Sequence, residues 1–538
     1  MAAFASNPVF DGWCSDPSIL RVGEDYYIAS STFEWMPGIN LFHSRDLKHW
    51  EQLPGPLTDD LLDMEGLEPS CCIWAPNLTR DGDLFYLAYT VVYTAASRFK
   101  DTWNYVITAP DLRGPWSRPV FVNCIGFDPS VFHDADGRKY MVNQTMDRRT
   151  ARKRFQGVSV TELDPETLRP LGSPRLVFPG TDRGTTEGPN LMRKDGWYYL
   201  TAAEGGTSYG HCVTIARSRD IWGPYEVDPE NPMLSSAGSD CALQRAGHGQ
   251  FVTDPQGNWY MAHLCSRPLD GQWSILGREC AIQNIVWTQE GWPRIADENG
   301  RPLSHARPAE RFRLPEAEES PFPEVPARTC FGRGIPPQWM SLRRGWQKQG
   351  MSLAERPGWL RIHGGQSLCS HFEQHLLAHR VTGLDFRAET RMAFRPACFN
   401  HTAGLTVMYN CRNWYYLFVS ADDEGKPVMC VSACENGELR DLAEEALPEA
   451  GGEYLLSAEG NGGELRFFFR EPGKEPRAIG PALDMRILSD EHVNGNGFTS
   501  AMTGVCCQDL RGDGCFADFE WFEYRDRASA GSPAPEGN

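Results

Sequence analysis

Three acidic residues stand beside proline turns in this chain: Asp16 in Ser15-Asp16-Pro17, Asp128 in Phe127-Asp128-Pro129, and Glu187 in Thr186-Glu187-Gly188-Pro189. A carboxyl group at such a position can be aimed from a strand end into a cleft while the strand behind it stays rigid. Taken singly, each Asp-Pro reads as an Asp that caps a turn and a Pro that opens a strand. Gathered at one point, the three suit glycoside hydrolysis, where one carboxylic acid protonates the leaving oxygen and an opposing carboxylate activates water or attacks the sugar. Like charges are costly to bury together unless their protonation states differ, so a fold rarely collects them without a use.

The elements that would collect them are visible as a repeat. Five segments carry a turn followed by an aromatic strand, ending in Tyr27, Tyr86, Tyr140, Tyr199 and Tyr260, spaced 54 to 61 residues apart. Ten or eleven residues before each tyrosine lies a Pro or Gly that opens a shorter strand: Pro17, Pro76, Pro129, Pro189 and Gly249. A third feature, a turn leading into an outer strand, follows several of them, as in Ser44-Arg45-Asp46-Leu47 and Arg219-Asp220-Ile221-Trp222. Units of this length with about four strands are propeller blades, and five of them make a small closed propeller. The Pro-containing strand comes first in each unit and is expected innermost, so Asp16, Trp74-Ala75, Asp128, Glu187-Gly188 and His248 converge at one mouth of the axis. Trp74 there offers a stacking face for a sugar ring.

Composition narrows the partners. The 538 residues are too many for one ordinary core, and plentiful aromatics and glycines with no heptad pattern favour an all-β protein. A net charge of −19, from 52 basic and 71 acidic residues, repels nucleic acid and anionic membrane and leaves a neutral partner. The first residues carry neither a basic nor an apolar signal region, and no apolar run is long enough to span a bilayer, so the expected location is cytoplasmic. Seventeen cysteines without metal-ligand spacing read as reduced, packed thiols. Gly206-Thr207-Ser208-Tyr209-Gly210 fits a nucleophile-elbow pattern but joins two strand-like runs with no helix after it. The basic run Arg148, Arg149, Arg152, Lys153 and Arg154 reads as a solvated loop.

Ser15-Asp16-Pro17-Ser18-Ile19, Ser31-Thr32-Phe33-Glu34-Trp35, Ile73-Trp74-Ala75-Pro76, Gly126-Phe127-Asp128-Pro129, Thr186-Glu187-Gly188-Pro189, Gly247-His248-Gly249 and Gly277-Arg278-Glu279, in this order, resemble glycoside hydrolase family 43 in its β-xylosidase branch. The resemblance runs from about Asn7 to the late 520s. It implies an inverting mechanism with Asp16 as general base, Glu187 as general acid, and Asp128 as the carboxylate that raises the acid's pKa and holds it. It implies that Phe33 and Trp74 line the terminal sugar pocket with Arg278 and His248 close by. No cofactor is required; His248 is either a neutral core histidine on the axis or helps to hold a central calcium ion through waters. Asn190 and Met36 depart from the branch's usual His and Phe.

The expected architecture is therefore a five-bladed β-propeller over 1–306, a Pro- and Glu-rich linker over 307–326, a lectin-like β-sandwich over 327–527 and a disordered tail over 528–538. Strands such as Leu384 to Met392 alternate apolar and polar residues, as a sandwich requires. The family resemblance adds that the sandwich closes the active-site pocket with a loop within Phe498 to Asp509, near Met502. The expected function is exo-hydrolysis of β-1,4-xylo-oligosaccharides to xylose. The alternatives are an α-L-arabinofuranosidase and, from another class, a carbohydrate-binding propeller without turnover. A homo-oligomer is left open.

Overall fold

The computed structural model describes residues 3–448 and 452–526. It divides into two compact units, the first made of 1–62, 70–267 and 278–322, the second of 63–69, 268–277 and 323–538. The expected tail at 528–538 lies outside the described residues.

The first unit is a five-bladed propeller. The strands that open the blades are Ser15–Val22, Cys72–Asp81, Ser130–His133, Glu187–Lys194 and Gln244–Thr253. Each leads a separate antiparallel sheet whose strands follow in chain order, and the five leading strands touch one another in a closed ring. The tyrosine-bearing strands Asp25–Ser31, Leu84–Thr94, Lys139–Met146, Trp197–Glu204 and Trp259–Ser266 are second in each blade. Their aromatic residues make the seams. Tyr140 packs with Phe132 of its own blade and Tyr198 and Leu200 of the next, Tyr199 with Met261 and Ile285, and Tyr260 with Ile28 and Phe42 of the first blade, which closes the ring. Burying a large apolar side chain at a seam contributes roughly 1.5–3 kcal/mol. The recurring aspartate turns cap themselves: Asp46 Oδ1 accepts from the amides of Lys48 and His49, and Asp220 Oδ1 from that of Trp222.

Two details differ from expectation. In the fourth blade both Glu226–Val227 and Leu234–Ser235 pair with Cys212–Ser218, giving five strands. The stretch 307–326, expected as an exposed linker, contributes a strand at Arg311–Arg313 that pairs with Phe4–Ser6, with Phe312 and Ala5 buried in the seam between the fifth and first blades. Its Pro and Glu content obscured a three-residue strand whose only apolar side chain is Phe312.

The second unit is a sandwich of antiparallel sheets. One runs in the order Met351–Ser352, Leu360–His363, Phe516–Asp526, Phe386–Ala393, Glu453–Asn461, Glu464–Arg470, Arg477–Asp484. The other contains Pro427–Glu435, Asn413–Ala421, His401–Asn410, Met502–Asp509 and Leu376–Arg380 as successive neighbours. Alternate residues of both, among them Leu405, Leu417 and Val431 against Ala388, Leu456 and Phe519, form one core. The stretch from Met502 to Asp509, expected within a loop, is one of these strands, and Met502 is fully buried. Its alternation of Val505 and Cys507 into the core explains the pairing. The helices described are three short 3-10 turns, and none is long and apolar enough to cross a membrane.

Candidate active site

Each leading strand bends at the same place. Asp16, Ala75, Asp128, Gly188 and His248 all adopt left-handed backbone, with φ of 52, 39, 54, 55 and 53°. In the first, second, fourth and fifth blades the ladder loses register there: Ser15, Trp74, Glu187 and Gly247 are paired, the next two residues are skipped, and pairing resumes. In the third blade Phe127 accepts a backbone bond from Gln144 just before Asp128. A bulge of this kind re-aims side chains at a strand end. The five bulges together therefore present two layers, one holding Asp16, Ala75, Asp128, Gly188 and His248, the other Ser15, Trp74, Phe127, Glu187 and Gly247. Glu187 is thus one position away from the two aspartates in register, and its longer side chain comes from the layer of Trp74 and Phe127.

The carboxyl groups are nearly sealed, with Asp16 at 7%, Asp128 at 8% and Glu187 at 9% exposure. Asp16 is surrounded by donors. Ser31 Oγ donates to its Oδ2 at 2.7 Å, while Arg278 Nη1 and His248 Nδ1 each lie 3.7 Å from Oδ1. Ser31 Oγ also accepts the Ala75 amide at 2.8 Å, which ties the first blade to the second at the site. Asp128 Oδ2 accepts the amide of Gly188 at 2.9 Å. Among the described residues none donates a hydrogen bond to the Glu187 carboxyl.

Burial pushes Glu187 up to about 7; Arg278 and Lys100 oppose the rise and Asp16 adds to it. Burial likewise raises Asp128 to about 7, against His248 and the Gly188 amide and with Glu187. Two buried carboxyls that repel one another share a proton. The Gly188 hydrogen bond favours the anion on Asp128, so the proton belongs on Glu187. A neutral acid and a donor-surrounded carboxylate in one sealed site can run general acid and general base steps together. They come from the fourth and first blades, which are not neighbours in the ring.

Trp74, 6% exposed, is fixed by an indole bond to the Ser70 carbonyl at 2.8 Å and by the edge of Phe127 at 5.3 Å. Phe33 is buried and stacks on Trp13 at 6.1 Å, and its backbone pairs with Ile73, the residue before Trp74. All seven residues expected at the site belong to the first unit, and Asp16 meets both His248 and Arg278 there.

Three participants were not among the expected site residues. Ser31 opens the Ser31-Thr32-Phe33-Glu34-Trp35 motif at the end of a tyrosine strand, where only Phe33 was expected at the site. Lys100, from the loop after Leu84–Thr94, holds its ammonium 4.8 Å from the ring centre of Trp74 and 5.4 Å from that of Phe127. Burial lowers its pKa, Arg154 lowers it further, and Glu187 and Asp128 act the other way. His211 is buried, donates from Nδ1 to the Arg245 carbonyl at 3.0 Å, and is kept neutral by burial, which drives its pKa down to about 3.

A calcium ion beside His248 needs hard oxygen ligands. The axial lining offers Ser18, Asn77, Ser130, Asn190 and Gln250, with Asn77 and Asn190 already bonded to each other at 2.9 Å and Gln250 Oε1 buried without a partner. These neutral oxygens fit an ion only through waters. Among the described residues the His, Cys, Asp and Glu side chains close enough to share a metal are His401, Asp509 and Cys515, in the second unit.

Three buried carboxyls at one mouth of a propeller, one of them protonated, are the equipment a glycoside hydrolase uses. Residues 5–293 match the model of glycosyl hydrolases family 43, and 331–525 that of the β-xylosidase C-terminal concanavalin A-like domain. The chain belongs to glycosyl hydrolase family 43. It is 43% identical over 531 residues to xylosidase/arabinosidase 43B of Humicola insolens, covering 96% of this chain and 97% of the relative. It is 39% identical to a xylan 1,3-β-xylosidase of a Vibrio species, covering 97% and 99%. The crystal structure of xylan β-1,4-xylosidase from Bacillus halodurans C-125 superposes with a TM-score of 0.94 at 41% identity, covering 97% of this chain and all of that one.

Proposed function

We propose that the protein is an inverting, exo-acting β-xylosidase that releases xylose from the non-reducing ends of β-1,4-xylo-oligosaccharides. The observation that carries this reading is the division of labour among the carboxyls, with Glu187 held neutral beside an anchored Asp128 and Asp16 facing donors from across the axis. Glu187 gives its proton to the glycosidic oxygen as the bond to the anomeric carbon breaks. Asp16 takes a proton from the water that forms the new bond on the opposite face. The hydroxyl left on the sugar is inverted, and the two carboxyls recover their starting states by exchange with solvent.

The remaining residues bind and orient. Trp74 and Phe33 wall the sugar, and Arg278, 3.7 Å from Asp16, meets a hydroxyl. Asp128 acts as a positioning residue, holding the peptide that follows Glu187. The reaction as written routes no step through a metal.

Xylose and arabinofuranose present similar hydroxyl patterns to such a pocket, and the Humicola relative's name carries both activities, so α-L-arabinofuranosidase is the second reading. Parallel rates on the p-nitrophenyl β-D-xyloside and α-L-arabinofuranoside separate them. A higher kcat/KM on the xyloside is expected, and a large excess on the arabinoside overturns the order. Absence of turnover on every pentoside would leave a binding propeller.

A further inference from the structure

The basic run at 148–154 does not stand alone in solvent. It faces the loop that carries Arg98, Phe99 and Lys100 across a cavity of about 550 Å³ in the first unit. Lys100 belongs both to this cavity and to the catalytic site, where it lies over Trp74 and Phe127 and opposes the rise of the Glu187 pKa. If Glu187 protonates the leaving oxygen, the space on its side of the broken bond receives the leaving group.

The lining has four cations, Arg98, Lys100, Arg148 and Arg149, against the carboxylates Asp101 and Asp147. Asp147 is taken by Arg149 through paired bonds of 2.9 and 2.6 Å, and Asp101 accepts from the Thr94 hydroxyl at 3.0 Å. Arg98 Nη1 donates to the carbonyls of Arg149 and Arg152 at 2.8 and 3.0 Å, and Arg154 Nη2 to that of Ser97 at 3.1 Å. Carbonyls are neutral, so these bonds stitch the two loops together without cancelling the charge. The Arg148 guanidinium lies 5.5 Å from the ring centre of Phe99, which is 67% exposed. A neutral sugar gains little from such a concentration of positive charge, which stands out in a chain of net charge −19. A carboxylate is the ligand that forked guanidinium groups match.

We propose that this cavity is a leaving-group subsite for acidic oligosaccharides: a xylo-oligosaccharide bearing a uronic acid branch behind the cleaved residue, with its carboxylate between Arg98 and Arg148 and a ring against Phe99. The proposal deepens the β-xylosidase reading and rests on Glu187 as the acid.

The test compares a neutral xylo-oligosaccharide with the same oligosaccharide carrying one glucuronyl branch on an internal residue, for the wild type and Arg148→Ala. Arg148 is exposed and lies over the exposed ring of Phe99, so its truncation removes no buried contact and the variant is expected to fold. Wild-type kcat/KM on the acidic substrate should fall with added salt and should drop about threefold to fivefold in Arg148→Ala, the size of one exposed charge pair. Rates on the neutral oligosaccharide and on p-nitrophenyl xyloside should be unchanged. No cleavage of the acidic substrate, or equal effects on both substrates, overturns the subsite. If the neutral oligosaccharide is not cleaved at all, the β-xylosidase reading fails instead. Titration of Glu187→Gln with the two oligosaccharides then judges the cavity alone, tighter binding of the acidic one supporting it and equal binding overturning it.

Discussion

The amide of Gly188 donates to Asp128 at 2.9 Å, so the peptide that follows the acid of the fourth blade is held by a carboxylate of the third. One bond thereby fixes where Glu187 sits and which of the two buried carboxyls keeps the negative charge. Asp128→Asn keeps an acceptor for Gly188 but removes the charge that competes for the proton. It is expected to lower kcat and move the alkaline limb of the pH profile to lower pH, whereas Asp128→Ala should also lose thermal stability. Full pH profiles beside melting curves separate the two effects.

Glu187→Gln removes the carboxyl proposed as proton donor. On a substrate with a poor leaving group kcat should fall about 10²–10⁴-fold, and much less on one with an activated leaving group. Stability should move the other way. The folded chain holds this proton up to about pH 7 against an ordinary value of 4.5. The contribution of this group is therefore complete below pH 4.5 and is lost as pH rises through 7. Melting curves should show the variant gaining on the wild type between pH 5 and pH 8, roughly, and little difference at pH 4.

Lys100 opposes the rise of the Glu187 pKa. In Lys100→Met the alkaline limb of kcat should therefore shift to higher pH, a change that loss of packing alone would not produce. An unmoved limb would remove Lys100 from the electrostatics of the acid.

Gly188→Ala would put a Cβ 2.9 Å from the His248 ring at a φ of +55°. A left-handed alanine alone costs of order 1–2 kcal/mol, so a lower melting temperature and impaired turnover are expected together. Wild-type stability in this variant would show that the bulge relaxes.

Much of this site was readable because one spacing repeats. Pro or Gly to tyrosine keeps its offset in all five blades, and that phase is enough to bring Asp16, Asp128 and Glu187 to one mouth. The one-residue offset of Glu187 is already written in Glu187-Gly188-Pro189 against Asp16-Pro17 and Asp128-Pro129, but that it places Glu187 in the layer of Trp74 and Phe127 shows only in the bulged pairing. Lys100 arises from a loop outside the repeat, and the motif that holds Ser31 does not show that its hydroxyl bridges Asp16 and the Ala75 amide. Met502, expected in a loop, opens the strand Met502–Asp509 and is buried on the face opposite Val505 and Cys507.

Glu187 and Asp16, acting from opposite faces of the sugar in a single displacement, should invert the anomeric centre. Proton NMR of the first sugar released from a β-xyloside, recorded before mutarotation, should therefore show α-xylose, whereas β-xylose would mean retention and rule out the single displacement.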